Sequence, residues 1–422
     1  MLSSASNPSA WPQWRNFTDQ WCGWAVVAMV FAAPISRSLF IVTGLLFALG
    51  WMVQGQFQTK AALLAKQPVT APLLLLAGIV VCWSVFSPAP WDAILTSLKV
   101  YSKLLLVLMI LFTLTEERWR NRAWWAFGIS MSIVVASTYA NVLLDLPWSK
   151  TQNQGLGQDH SVFIEHVSQS VMTAVAVAWI LQHATTCKTW AGRFAWGSAA
   201  VLAFCSVLFL LAGRSGLVAM ALVTVVFIAL ATPKSKRLPV TLAAGLIGLA
   251  AMVSSPLIKD RILLGYHEVI NYQPFELTSL GARIDMWRFA LDRTLDQPLL
   301  GSGIGTYHQQ AAKHFGHCTW VCDHPHNQYL FFGMELGLPG LLAFVWLLWR
   351  IGAVAHASPF PERATLFAFL LILVVDSLIN VPFWWRGQSY FTYSMLGLLL
   401  ASNSLEKSTD KGQRLKACEP PA

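Results

Sequence analysis

The segment Asp323-His324-Pro325-His326-Asn327-Gln328 sets two imidazoles, a carboxylate and two amides within six positions. These are residue types that take up and pass on protons near neutral pH. Proline suits the first turn of a helix and Asp323 or His324 its cap, so the spacing predicts His326 in an opening turn. There the helix dipole holds an imidazole neutral, as a general base must be. His326 and His324 are therefore the candidate catalytic pair, with Asn327 or Asp323 to orient them. Glu335 lies nine residues past His326, roughly 13 Å deeper and on the opposite helix face; it reads as a packing partner.

Cations able to hold an anion lie elsewhere in the chain. Arg214 sits in Ala212-Gly213-Arg214-Ser215-Gly216, a tight connection between two apolar runs. A guanidinium flanked by glycines suits an anionic headgroup or a diphosphate through paired N–H donors; an arginine that snorkels and caps a helix C-terminus is the structural alternative. Arg283 belongs to a stretch in which Ile284, Trp287, Leu291 and Leu295 recur at helical spacing, with Ser279 or a neighbour as N-cap. In the first turn of that helix a cation is disfavoured unless an anion binds beside it. Arg288 joins the candidates, although Asp285 and Asp292 offer it plain surface pairs. Lys99 and Lys103 share one face on the outer part of a span, where they contact a lipid phosphate or merely snorkel. Asp376, within a late apolar run, and Arg386 just beyond it are read as a supporting pair or as flanks of the pocket. The glycines of Gly301-Ser302-Gly303-Ile304-Gly305 could form a phosphate nest or a plain turn.

A metal reading competes for the histidines. His314, His317, Cys318, Cys322, His324 and His326 are dense enough for zinc but fit no finger spacing, and outside the cytoplasm Cys318 and Cys322 could pair as a disulfide instead. No metal or cofactor is assigned.

The elements that must position these groups are apolar. Of 422 residues, 55% are hydrophobic and 12% charged, and the mean hydropathy is +0.53. Soluble domains carry roughly a quarter charged residues, so a water-soluble enzyme is excluded, as is a disordered or fibrous chain. Runs of about 20 apolar residues are what a bilayer requires, and about twelve occur, near 19–33, 39–55, 71–86, 94–114, 123–144, 167–183, 194–213, 216–231, 238–254, 328–349, 366–380 and 390–401. The fold class expected is an all-α polytopic membrane protein. Its transmembrane helices 1–9 lie within 1–255, a helical outer loop spans 256–325, helices 10–12 lie within 326–402, and 403–422 form a cytoplasmic tail.

Orientation follows from the basic residues. With the N-terminus inside, Lys60 and Lys66; Arg118, Arg120 and Arg122; Lys188 and Arg193; Lys234, Lys236 and Arg237; and Arg350 and Arg363 all fall in cytoplasmic loops. The outer loop is balanced, with six basic and seven acidic residues. The formal charge of +9 thus describes topology, and no nucleic-acid partner is expected.

With these residues on the page, the chain resembles the bacterial O-antigen ligase and polymerase superfamily. The likeness rests on Gly213-Arg214-Ser215-Gly216, on Arg283 with Trp287, on Gly301–Gly305, and above all on His324-Pro325-His326-Asn327 followed by Leu330 and Glu335-Leu336-Gly337. The resemblance implies a GT-C-like inner-membrane glycosyltransferase with its active site on the periplasmic face and both termini cytoplasmic. It would pass a glycan from undecaprenyl diphosphate to a sugar hydroxyl of lipid A–core, with inversion and without metal or ATP. It implies that Arg214 and Arg283 hold the diphosphate and that His326 is the base. An O-antigen polymerase or a protein O-oligosaccharyltransferase shares these features. A lipid-linked sugar transporter or flippase is the alternative of another class, disfavoured because the polar chemistry gathers on one face rather than at the midplane.

Overall fold

The computed structural model describes residues 10–152, 154–316 and 319–404. Among these the chain is all-helical: α1 (Ala10–Ala32), α2 (Arg37–Val53), α3 (Phe57–Ala65), α4 (Thr70–Phe86), α5 (Trp91–Tyr101), α6 (Lys103–Thr113), α7 (Glu117–Ala140), α8 (His166–Thr186), α9 (Trp190–Leu210), α10 (Arg214–Ala231), α11 (Lys234–Ser254), α12 (Pro256–Ile270), α13 (Gly281–Asp296), α14 (Tyr307–Phe315), α15 (Gln328–Ala357), α16 (Glu362–Ile379) and α17 (Ser389–Ser404). Each of the twelve apolar runs is helical, the fourth being shared between α5 and α6. Among the described residues, five helices are by length and composition able to cross a membrane: α5 with α6, α7, α9, α10 and α15. A sixth is the pair α2 and α3, bent by 109°, while α4 and α17 are apolar but shorter.

Two cores organise the chain. The larger joins α1, α2, α4 to α10 and α15 to α17 through leucine, valine, phenylalanine and alanine. The smaller docks the segment after α12 onto the start of α15: Met286, Phe289 and Ala290 of α13 meet Tyr307, Val321, Cys322, Phe331, Met334 and Val381. Burying each large side chain there contributes about 1.5–3 kcal/mol. This small core matters for the site, because Arg283, His324 and Asn380 all adjoin its members.

The glycine run has a structural use that excludes a free phosphate nest. Helix α15 breaks at Gly337, which adopts φ 67°, two residues before Pro339. The break frees backbone groups, and the segment after α13 satisfies them. Leu338 N–H donates to Pro298 O at 2.7 Å, Ser302 N–H to Met334 O at 2.6 Å and Gly303 N–H to Glu335 O at 3.2 Å. A Cβ on Gly301 would stand 2.6 Å from Gly337 N, so only glycine allows the approach. The Glu335 carboxylate accepts the N–H groups of Gly305 at 3.0 Å and Tyr307 at 3.3 Å. The amides that could cradle a phosphate are thus occupied within the protein, and Glu335 packs by stapling this segment.

Candidate functional site

The helix after the histidines starts later than the spacing predicts. Asn327 is the N-cap of α15, its Oδ1 accepting the Leu330 N–H at 3.0 Å. Its Nδ2 donates to Leu378 O at 3.0 Å. Both ends of Asn327 are therefore engaged, and it does not orient an imidazole. His326 precedes the cap with φ 50°, a left-handed conformation that side chains with a Cβ rarely adopt. It is held there by His324, whose Nδ1 accepts the His326 backbone N–H at 3.3 Å. The two rings meet at 4.3 Å between centroids, with Trp385 5.2 Å from His324 and Trp320 5.6 Å from His326.

Burial pushes His326 down to about pKa 3; Arg283 adds to the fall and Asn380 opposes it. His324 is lowered well below the usual histidine range, first by burial and then by His326 and Arg283. Both imidazoles are neutral at pH 7, as expected, but desolvation and a guanidinium do the work assigned to the helix dipole. Asp323 is exposed and acts on Tyr307.

Arg214 opens α10 rather than capping a C-terminus. The flanking glycines admit α8, not a ligand: a Cβ on Gly213 would lie 2.7 Å from Ser170 Oγ, and one on Gly216 2.2 Å from Ser170 Cβ. The guanidinium reaches α12, with Nη1 2.8 Å from where a Cβ on Gly265 would be. Arg283 is the third residue of α13, whose N-cap is Leu280 rather than Ser279. Thr278 Oγ1 accepts the Gly281 N–H at 3.2 Å, and Glu268 accepts those of Ser279 and Leu280 at 3.3 and 3.0 Å. The Arg283 side chain makes one long contact, Nη1 to Ser279 Oγ at 3.5 Å. Its Nε and the indole N–H of Trp287, one turn on, are buried without a partner among the described residues.

Burial lowers the proton affinity of Arg283, Arg214 lowers it further, and Glu268 partly offsets both. Among the described residues neither arginine forms an ion pair. Two guanidiniums at two helix N-termini are close enough to repel, with Glu268 offsetting that only in part, an arrangement whose chemistry suits a polyanion. Arg283 also acts on both imidazoles. Arg214, Arg283, His324 and His326, scattered over more than a hundred positions, thus share one electrostatic neighbourhood.

The remaining candidates lie apart from this group. Arg288 is exposed, 5.5 Å over the Tyr272 ring and 3.4 Å from its hydroxyl, while Asp285 accepts from Tyr272 and from Phe275 N–H at 2.9 Å. Lys99 is exposed, whereas Lys103 lies 4.7 Å over the Tyr390 ring and donates to Val100 O at 3.2 Å. Arg386 is exposed and acts on Lys103. Among the described residues none of these four hydrogen-bonds to the imidazoles or lies over their rings. Asp376 does not pair with Arg386 there: its two oxygens accept from Asn380 Nδ2 and Gln388 Nε2, both at 2.6 Å. His314 stacks on Phe289 at 4.7 Å and His308 Nδ1 faces Cys322 O at 3.1 Å. Among the described residues no three His, Cys, Asp or Glu side chains converge as metal ligands. His317 and Cys318 lie outside the described residues; Cys322 is disulfide-bonded.

Sequence reasoning missed several groups. Asn380 acts on the His326 ring electrostatically and donates to Ser215 Oγ at 3.1 Å; the i,i+4 spacing of Asp376 and Asn380 was the available signal. The loop before α8 wraps the turn that carries Arg214. Its Asp159 accepts the Ala212 N–H at 3.1 Å and pairs with His166 at 3.3 Å. Burial would raise the Asp159 pKa, but His166, Ala212 and Ser161 together bring it below the usual value. Glu165 accepts from Trp385 Nε1 at 2.6 Å, bracing the ring that flanks His324.

The class defined by this fold and site is a multi-pass helical membrane protein with two neighbouring arginines at helix N-termini beside neutral imidazoles. Residues 199–345 match the family model described as O-antigen ligase. The match spans roughly a third of the chain and includes Arg214, Arg283, His324 and His326. A stretch of 124 residues is 34% identical to an uncharacterized protein of Haemophilus influenzae, covering 27% of this chain and 31% of that relative's length.

Proposed function

We propose that this protein is an O-antigen ligase: it transfers a glycan from undecaprenyl diphosphate to a sugar hydroxyl of lipid A–core at the periplasmic face of the bacterial inner membrane. The reading is carried by the arginine pair, in which neither guanidinium forms an ion pair among the described residues and Glu268 offsets their repulsion only in part, set beside a neutral, half-buried imidazole. Superfamily members are glycosyltransferase-like enzymes of lipopolysaccharide biosynthesis, and the disulfide at Cys322 suits an oxidising compartment.

In this mechanism Arg214 and Arg283 hold the diphosphate and offset charge that grows on it as the glycosidic bond breaks. His326 takes the proton of the acceptor hydroxyl while that oxygen attacks the anomeric carbon from the face opposite the diphosphate. The C–O bond to the carrier breaks, its electron pair leaves on the diphosphate, and the configuration inverts. No metal or nucleotide enters, since the diphosphate linkage supplies the leaving group. The bound anion has a second effect: its charge offsets the field of Arg283 on His326, so the imidazole becomes more basic when the donor is present.

The test is reconstitution of the purified protein in vesicles with lipid-linked glycan and lipid A–core. A covalently extended lipid A–core that survives EDTA and vanishes in His326→Ala is expected. Movement of the lipid-linked glycan across the membrane without a new covalent acceptor would replace the reading by transport, and extension of the glycan on its own carrier would replace it by polymerisation.

A further inference from the structure

The catalytic imidazole of the proposed reaction has no orienting partner in its own segment. Asn327 is consumed by the helix cap and Asp323 faces outward. An imidazole that is to accept a proton needs its second nitrogen fixed, since that contact chooses the tautomer and steadies the cation that forms.

Asn380, just past the end of α16, is 7% exposed. Its amide cannot be turned around. Nδ2 donates to Asp376 Oδ1 at 2.6 Å, and the other oxygen of that carboxyl accepts from Gln388 Nε2, so both of its oxygens face donors. Nδ2 also donates to Ser215 Oγ at 3.1 Å. Both amide hydrogens are therefore spent, and the oxygen is the end left for His326. Asn380 lies close enough to favour the protonated ring, while His326 Nδ1 is buried with no hydrogen-bond partner. The orientation of the amide is itself fixed from behind, because the second Asp376 oxygen is tied to Gln388 at 2.6 Å. Ser215 is the residue after Arg214, so one amide acts on the segment of the anion-holding arginine and on the imidazole together.

We propose that Asn380 is a positioning residue for His326: its Oδ1 accepts the N–H of one ring nitrogen as the other takes the proton of the acceptor hydroxyl, and Asp376 holds the amide in that sense. The inference rests on the transfer reaction proposed above. During the step the proton leaves the hydroxyl for the free ring nitrogen, and the N–H already present on the ring shortens its contact to Asn380. No further reactant is needed. The charged groups facing the imidazole are Arg283 from α13 and, one amide removed, Asp376 from α16; His324 faces it as a neutral ring.

The experiment compares wild type, Asn380→Leu, Asn380→Asp and His326→Ala in reconstituted vesicles, measuring kcat and donor KM across pH. Asn380→Leu should lower kcat about 100-fold with donor KM within about twofold, and should move the rising limb of kcat to lower pH, since the imidazolium loses its acceptor. Asn380→Asp keeps the size and an acceptor oxygen, and can share a proton with Asp376, so it should recover activity to within about tenfold of wild type. Equal losses in both variants with an unmoved limb would overturn the positioning role and leave Asn380 as packing. If Asn380→Leu does not fold, the pH limb of Asn380→Asp decides: a limb at the wild-type position overturns the proposal, and a rise supports it. If wild type transfers and His326→Ala does not, a fully active Asn380→Leu overturns this inference alone; a wild type without transfer ends the parent reading and this one with it.

Discussion

A buried cation and a half-buried one meet opposite circumstances in this protein. Lys60, in α3, is 1% exposed, yet every direction around it is served. Its Nζ donates to Trp51 O at 2.5 Å and lies 3.7 Å over the Trp51 ring, with Phe57 and Phe112 at 5.4 and 5.5 Å. Arg283 is half-buried, but its Nε is enclosed and unpartnered among the described residues and its strongest charged neighbour is another arginine. A cation satisfied by its own fold is structural, closing the bent pair α2 and α3. One left unsatisfied next to a like charge costs stability, and the cost is recovered when an anion arrives.

Exchanging both residues for methionine should separate the two roles. Arg283→Met should cut glycan transfer by about 10³-fold while leaving thermal stability unchanged or raised, because a repelled charge is removed. Lys60→Met should do the reverse: the Trp51 carbonyl loses its donor, at about 1–3 kcal/mol, and activity per folded molecule stays as in wild type. Equal thermal losses in both variants would erase the contrast.

Ligand binding sharpens the comparison further. Inorganic pyrophosphate at about 100 times its Kd should stabilise the wild type by about 2.7 kcal/mol, read as a higher unfolding temperature. The shift should persist in Lys60→Met and disappear in Arg283→Met. A shift of the same size in all three would place the anion elsewhere.

A further contrast concerns acid. An unfolded histidine titrates near 6.5, whereas His326 in the fold stays neutral down to about 3. The folded state binds fewer protons in that interval, so stability declines as pH falls from about 6.5 toward 3. In His326→Gln the decline should be shallower across that range, as measured by unfolding temperature against pH.

The helical architecture was legible because each apolar run is long and the bilayer leaves no other economy for the backbone. The arginines were legible for a related reason: a cation near the membrane boundary and away from the basic loops needs an explanation. Details set by tertiary contacts were not. The glycine run looks like an anion nest until the break at Gly337 shows where its amides go. The start of α15 was placed early because Pro325 mimics a first-turn proline, whereas Asn327 makes the cap. Asn380 was overlooked because its link to His326 joins positions 54 apart, and no local pattern encodes that link.

The arrangement of two guanidiniums and one imidazole around a lipid-borne diphosphate is tested most directly by measuring donor binding and turnover separately. In detergent-purified protein, Arg214→Ala and Arg283→Ala should each lose affinity for undecaprenyl-diphosphate-linked glycan, whereas His326→Ala should bind it as wild type does and fail to transfer it. Wild-type donor affinity in both arginine variants, or near-normal transfer by His326→Ala, would contradict the account.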